Sequence, residues 1–478
     1  CPCLMRTSEK RTVRGVVQME YIPTPEEQQE YLAYTSCDVF FENLENGIKE
    51  LEQTQFERRQ KKVLLIAGAM VVFDKGVIRF LNHMAEVDSD CQYVLLSEVT
   101  AEFRRKTRDM ITFASICTPH LLAKEILVPY MDIPVSEEIQ NYIDRHAYLK
   151  PAADNLNQRH VNIGSGYAEA VVYYADRYIR KLLEKTAPDC VLIWNKFYAF
   201  HMILGYLCEE YGIRKKYMEF GCVPGTFVIE EKGQQGESFP GRYPHAFAVL
   251  PVTGKDKITA ESVIEYIFRN GLNRNPQPPR GRLFGVLQNM KPNRPVITYM
   301  GQNDYESGLY PYTEKTRKYH SPIFKSSLEA LEFLRLLCIK NGWNLFYKPH
   351  PIIEQQQPAR EKEEGVFVLE HMNIEEVIDY SDLIITILSQ SAYIALFRQK
   401  AVVMLGYTQL KRSGCVYEAF SRRAIESAIK EALKKGFSEK QRKKFLCHVA
   451  RELKYYLWDD GRHPEFPYGK KYKKGDVI

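Results

Sequence analysis

Residues 326–351, SSLEALEFLRLLCIKNGWNLFYKPHP, decide how the rest of the chain is read. A serine before a long, apolar-rich stretch and a glycine after it are the start and stop signals of a helix. Directly after the glycine, WNLFYKP (343–349) is an apolar run of the length of a buried strand. A helix feeding straight into a buried strand is half of a βαβ unit. The strand then stops at Lys348, and His350 follows between Pro349 and Pro351.

The same alternation extends in both directions. PVITYMG (295–301) is the strand before the helix; GVFVLE (365–370), DLIITIL (382–388) and AVVMLG (401–406) are strands after it. NIEEVIDYS (373–381) and SQSAYIALFRQ (389–399) are the helices among them, and helices over 422–435 and 438–458 finish the run. Toward the N-terminus, KKVLLIAGA (61–69), CQYVLLS (91–97), DCVLIWN (189–195) and RKKYMEFG (214–221) read as strands. KGVIRFLNHMAE (75–86), residues 168–185 and AFHMILGYLCEEYG (199–212) read as helices. Strands alternating with helices of about ten residues or more predict mainly parallel sheets. Residues 271–295 are rich in Pro, Gly and Asn and read as a linker. The expected organisation is a helical or extended segment over 1–60, a Rossmann-like domain over 61–270, a linker over 271–294, a second Rossmann-like domain over 295–435, and a helix with a basic tail over 436–478. In such a pair the ligand is expected at the carboxyl ends of the strands, between the domains.

Composition sets the outer limits. The chain has 478 residues, 45% hydrophobic and 26% charged, an ordinary globular balance able to bury large cores. Its longest apolar run, VLLIAGAMVVF (63–73), falls well short of the ~20 residues that span a bilayer. The first residues lack the apolar core of a signal peptide, so the expectation is a soluble, cytoplasmic protein. Eleven cysteines, with no CxxC pair and no zinc spacing, read as reduced core thiols. The net charge is +6, and basic runs at 56–62, 434–444 and 469–475 read either as solvated faces or as a means of docking at an anionic membrane face. No basic stripe interleaved with aromatics suggests nucleic acid. No GxGxxG, GxSxG or Walker loop follows a strand, which argues against dinucleotide oxidoreductases, serine hydrolases and P-loop enzymes.

Three strand ends carry candidate chemistry. Prolines fix φ and remove backbone donors, so Lys348 and His350 sit on a stiff loop suited to holding a phosphate oxygen or a leaving diphosphate; the plain alternative is a turn whose histidine caps a carbonyl. Ser389 and Ser391 stand where a buried strand turns into a helix, either as caps or as donors to an anion. After the strand at 295–301, Gly301 permits close backbone approach, and Asn303 and Asp304 offer polar contacts or form an ordinary loop.

The run Lys-Pro-His-Pro followed by SDLIITILSQSAYIALFRQKAVVMLG (381–406) resembles the second domain of bacterial capsule-polysaccharide glycosyltransferases. It is also similar to keto-deoxy-octulosonic-acid transferases, sialyltransferases with a His-Pro motif, and CDP-glycerol glycerophosphotransferases. The similarity is clearest over about 295–408. It implies a GT-B fold, two Rossmann-like domains facing each other across a cleft, with the acceptor on the first and a nucleotide-activated donor on the second. By that resemblance, His350 and Lys348 contact donor phosphate, Ser389 and Ser391 bind phosphate, and VLEHMN (368–373) lies near the base. Ser-Gln-Ser replaces the adjacent Ser-Ser or Ser-Thr of the family, leaving open which serine faces the phosphate. The family often uses CMP- or CDP-linked donors, giving a lean toward cytidine.

An inverting transfer needs a base to deprotonate the acceptor hydroxyl. Glu219, at a strand end, is the first choice, with pairing to Arg214 or Lys216 as the alternative. Gly221, Pro224 and Gly225 form a loop able to approach a substrate; Glu230, Glu231 and Glu237 are a second acidic group, and EEKG resembles the acidic pair of related sialyltransferases with Lys232 intervening. Asp154, His160 and the Gly164–Gly166 loop are further acceptor-side candidates, or an ordinary surface loop. No metal site is expected, since no DxD triplet stands at a strand end, and no cofactor beyond the nucleotide donor as substrate. The expected activity is transfer of a sugar or glycerol phosphate to a capsule or other surface-glycan precursor, lipid-linked or free. A sugar-nucleotide epimerase and a non-catalytic assembly scaffold are the alternatives.

Overall fold

The computed structural model describes residues 37–68, 74–96, 111–113, 135–159, 166–273, 276–351, 365–462 and 469–478. The chain forms two compact units, one comprising Cys1–Met218 with Tyr472–Ile478, the other Glu219–Lys471. Each is built on a parallel sheet covered by helices, so the protein is mixed α/β with two parallel-sheet domains.

The first unit begins with α1 (Cys37–Gln53), β1 (Lys62–Ala67), α2 (Lys75–Val87), β2 (Cys91–Leu96) and β3 (Ile111–Phe113). It continues through α3 (Glu137–Arg145), α4 (Leu149–Arg159), α5 (Tyr167–Thr186), β4 (Cys190–Trp194), α6 (Ala199–Glu210) and β5 (Arg214–Phe220), whose last two residues belong to the second unit. The strand order is β5-β4-β1-β2-β3, every neighbouring pair parallel. Strands covered on both faces read as continuous apolar runs, and β4, CVLIW, is buried throughout. The C-terminal residues return here: Lys62 Nζ donates to Ile478 O (3.3 Å), Lys216 Nζ to Asp476 O (3.0 Å), and Tyr472 O–H to the Asp88 carboxylate.

The second unit contains β6 (Thr226–Glu230), α7 (Gly254–Asn270), β7 (Val296–Met300), α8 (Ser327–Asn341), β8 (Asn344–Lys348) and β9 (Val366–Val368). Then come α9 (Ile374–Tyr380), β10 (Leu383–Thr386), α10 (Ser391–Phe397), β11 (Ala401–Met404), β12 (Tyr417–Glu418), α11 (Arg422–Lys435), α12 (Glu439–Arg451) and β13 (Trp458–Asp459). Its six-stranded sheet has the order β12-β11-β10-β7-β8-β9, all parallel, while β13 pairs antiparallel with β6. Alternate strand residues feed two cores. Leu345, Tyr347, Ile385 and Val403 pack with α8 and α11, whereas Phe346, Ile384, Val402 and Met404 pack with α7, α10 and α12. Each such side chain contributes roughly 1.5–3 kcal/mol by leaving water.

The signals around α8 act as read. Ser326 Oγ accepts the Glu329 N–H (3.1 Å), and Gly342 closes the helix at φ +70°. The helix expected over 438–458 instead runs as α12 to Arg451, widens into a π turn at Glu452–Tyr456 and ends in β13. The domain limits also differ from the expected ones. Residues 219–270 fall in the second unit because Ala260, Val263 and Ile267 of α7 pack into the core shared with α10 and α12. The stretch 271–294 is tied to the same unit, with Asn273 Nδ2 donating to Glu375 (2.8 Å) and Gly281 N–H to Glu376 (2.8 Å). Described cysteines are free thiols, mostly buried. No helix among the described residues is long and apolar enough to cross a membrane.

Candidate functional site

In a parallel sheet all strands end at one edge, and β10, β7 and β8 are adjacent, so their trailing loops leave side by side. Backbone and side-chain bonds join these loops. Gly301 N–H, after β7, donates to Lys348 O at the end of β8 (2.9 Å). Gln302 Oε1 accepts the Leu388 N–H beyond β10 (2.8 Å), and Thr386 Oγ1 donates to Met300 O (3.1 Å). A Cβ at Gly301 would stand 3.0 Å from the Tyr347 ring, so the glycine serves the fit of the loop against β8.

Lys348 is buried at the strand end with Nζ 3.4 Å from Pro349 O, and His350 follows, half-buried. Asn303 is buried and its Oδ1 accepts the Tyr305 N–H (3.2 Å), a local turn. Asp304 accepts the Ser327 N–H at the start of α8 (2.8 Å), and burial pushes its carboxyl up to about 7. Both side chains therefore shape the loop.

The two serines differ in a way the sequence left open. Ser389 Oγ accepts the Ser391 N–H (3.2 Å) and the Ser391 hydroxyl (2.9 Å), and Ser389 N–H donates to Thr386 Oγ1 (3.2 Å). Ser391 is buried and its hydroxyl is engaged; Ser389 is half-buried, and its own hydroxyl proton has no acceptor among the described residues. The N-cap of α10, Gln390, makes no side-chain cap bond; Ser389 Oγ instead takes the N–H of the first helical residue, Ser391.

Glu219 belongs to the same unit. It is buried, with Oε1 accepting the Phe220 N–H (2.9 Å) and Oε2 the Gln234 amide (3.3 Å). Gln390 Nε2 donates to Phe220 O (3.1 Å), which brings the chain beside Glu219 to the Ser389 turn. Gly221 is closed by packing: a Cβ there would meet Thr226 Oγ1 at 2.1 Å. Gly225 turns at φ +87°, and its carbonyl accepts the Asp460 N–H (3.0 Å). Glu231 is exposed at the end of β6. Glu230 is buried and pushed up to about 7 by that burial, accepting the Phe239 N–H (2.8 Å). Glu237 is buried 3.5 Å from His320 Nε2 and 3.6 Å from Lys315 Nζ. Asp154 is exposed on α4 in the first unit, and His160 and Gly164 lie outside the described residues.

Sequence reasoning missed the glutamines. Gln235, Ser389, Gln390, Thr408 and Gln409 line one narrow crevice, and of these only Ser389 stands out in the sequence. It also missed a buried polar cluster. Glu452, in the π turn, accepts from Tyr393 O–H (2.6 Å) and Cys222 Sγ–H (3.3 Å) and lies 3.2 Å from His448 Nε2. No group of three or more His, Cys, Asp or Glu among the described residues is placed to hold a metal ion.

No protein-family model matches the chain, and no curated protein matches it. Similar solved structures include Thermosulfurimonas dismutans KpsC, a beta Kdo 2,4 transferase, at 16% identity over 56% of this chain and 81% of that one, TM-score 0.38. Others are S. aureus MnaA with UDP, at 10% identity over 82% and 94%, TM-score 0.33, and spinosyn rhamnosyltransferase SpnG, at 9% identity over 82% and 95%, TM-score 0.31.

Proposed function

We propose that the chain is a glycosyltransferase of the GT-B plan that takes a nucleotide-activated donor, with a lean to CMP or CDP. It moves a sugar or glycerol phosphate to a capsule or other surface-glycan precursor, with inversion and without a metal. The observation that carries this reading is the Ser389 hydroxyl. It is held by two bonds it accepts, its proton is unengaged among the described residues, and it stands at the carboxyl edge shared with Lys348 and His350. A phosphate oxygen accepts what Ser389 donates, and Lys348 and His350 offset the charge that grows on the leaving nucleotide. Glu219 takes the acceptor proton; its two carboxylate oxygens are oriented by Phe220 N–H and Gln234, and its neighbour Phe220 is anchored to the Ser389 turn. Work on a lipid-linked acceptor would bring the protein to the cytoplasmic membrane face through its basic runs.

The test is incubation with CMP-, CDP-, UDP- and GDP-linked donors, following nucleotide release and thermal stabilisation. Stabilisation by cytidine nucleotides that is lost in His350→Ala and Ser389→Ala supports the transferase. Acceptor-independent turnover of a UDP-sugar would replace it with an epimerase, and indifference to every nucleotide would leave a scaffold.

A further inference from the structure

One surface of the second unit carries cations that the proposed reaction does not use. Tyr407 N–H donates to His320 O (2.7 Å), and a Cβ at Gly236 would meet Tyr319 O at 1.7 Å and Tyr407 Cβ at 2.9 Å, so the segments bearing the two tyrosines abut. Arg242 Cζ lies 5.0 Å and Lys318 Nζ 5.2 Å from the Tyr319 ring centroid, and Lys411 Nζ lies 4.0 Å from that of Tyr407. Arg412 Nη1 is 3.3 Å from His245 Nε2. Some cations of this unit are held by carboxylates, as Arg398 is by Asp379 (2.6 Å) and Lys430 by Glu426 (2.7 Å). Among the described residues, none of Arg242, Lys318, Lys411 and Arg412 has a carboxylate within ion-pair distance of its side chain. The neighbouring acids are otherwise engaged: Glu237 faces Lys315 and His320, and Glu418 accepts the Arg412 backbone N–H (2.6 Å).

We propose that Arg242, Lys318, Lys411 and Arg412, with Tyr319 and Tyr407 between them, bind an acidic oligosaccharide. The proposal deepens the transferase reading, on which it rests, by naming the acceptor's chemical class. The tyrosine rings hold the guanidinium and ammonium groups in place, and these meet the carboxylates or phosphates of the sugars. Burial, then the charge of Arg412, holds the Lys411 pKa down against the opposite pull of Glu418, and a bound anion would offset the charge of Arg412. Thr408 and Gln409, between Tyr407 and Lys411, line the narrow crevice that Ser389 shares.

The test measures fluorescence anisotropy of labelled oligogalacturonate on the full chain at about 50 and about 200 mM salt. Arg242→Glu/Lys411→Glu is compared with Lys434→Glu/Lys435→Glu, an equal charge change on α11. The wild type and the α11 variant bind alike, with affinity falling as salt rises. The Arg242/Lys411 variant binds about tenfold more weakly, and Lys318→Gln/Arg412→Gln gives a smaller loss in the same direction should the first variant melt early. Equal loss in both Glu variants overturns the assignment, and so does no loss in either. Tighter binding of polyphosphate than of oligogalacturonate overturns the carbohydrate class, and capture by phosphatidylglycerol vesicles in place of the oligosaccharide makes the surface a membrane contact. A phosphorylated oligosaccharide that outcompetes the carboxylated one keeps the class and identifies the anion. No donor is present, so failure here leaves the nucleotide result standing, and failure of nucleotide binding leaves this measurement readable.

Discussion

Replacing Ser389 by alanine separates a reactive hydroxyl from a structural one. The substitution removes the acceptor of two hydrogen bonds, from Ser391 N–H and Ser391 O–H. At a net 0.5–1.5 kcal/mol each, the expected structural cost is roughly 1–3 kcal/mol. If the Ser389 proton is the one given to a phosphate, binding loses in addition a charge-assisted bond of about 1.5–3 kcal/mol, a tenfold to hundredfold weaker donor affinity. Ser391→Ala is the matched control. It removes one of the same two bonds, costs about 0.5–1.5 kcal/mol of stability, and leaves Ser389 still able to donate. Calorimetric titration with the donor that stabilises the wild type, alongside urea unfolding of all three proteins, reads both effects. The expected pattern is a large affinity loss for Ser389→Ala and less than about a threefold loss for Ser391→Ala. An affinity loss in Ser391→Ala equal to or greater than that in Ser389→Ala would refute the assignment of the free proton.

Other outcomes rest on the packing and the buried acids. Asp304 has a folded-state pKa of about 7 against an ordinary 3.8, so the folded state binds the extra proton and stability falls as pH rises through that window, levelling off above it; Asp304→Asn, which keeps an acceptor for Ser327 N–H, should remove on the order of 4 kcal/mol of that pH-dependent loss in urea unfolding across the range. Gly236→Ala places a methyl 1.7 Å from Tyr319 O and should destabilise by more than about 3 kcal/mol, whereas Gly254→Ala, with nothing within 4 Å, should change stability by less than about 0.5 kcal/mol. Glu452→Ala leaves Tyr393 and Cys222 without their buried acceptor and should cost about 3–5 kcal/mol by the same assay. Burial raises the Cys222 thiol well above its ordinary pKa, so it should resist alkylation at pH 8 until the protein unfolds.

Much of this architecture is legible because its strands are covered on both faces. DLIITIL and AVVMLG can be little other than central parallel strands, and Ser326 and Gly342 mark α8 by local chemistry that tertiary packing leaves intact. What escaped was set by long-range contact. Nothing in KITAESVIEYIF says that Ala260, Val263 and Ile267 face α10 and α12, so the limits of the second unit were misplaced. At the site, residue types that bind phosphate were visible one by one, but the division of labour between Ser389 and Ser391 depends on which hydroxyl is already engaged. The glutamines at 234, 302 and 390 gave no periodic signal, because each acts through a partner distant in sequence.

The return of Tyr472–Ile478 to the first unit has a consequence for synthesis. The parallel strands β1 to β5 emerge from the ribosome long before the residues whose carbonyls take the Lys62 and Lys216 ammonium groups and whose phenol meets Asp88. Vectorial folding, in which an N-terminal domain finishes while its successor is still being made, therefore leaves these three bonds unmade until residues 472–478 emerge. The earlier-born lobe waits with that flank unsealed until translation has delivered the later one, and a nascent chain halted at 471 should be more open to proteases there than the same chain extended by seven residues.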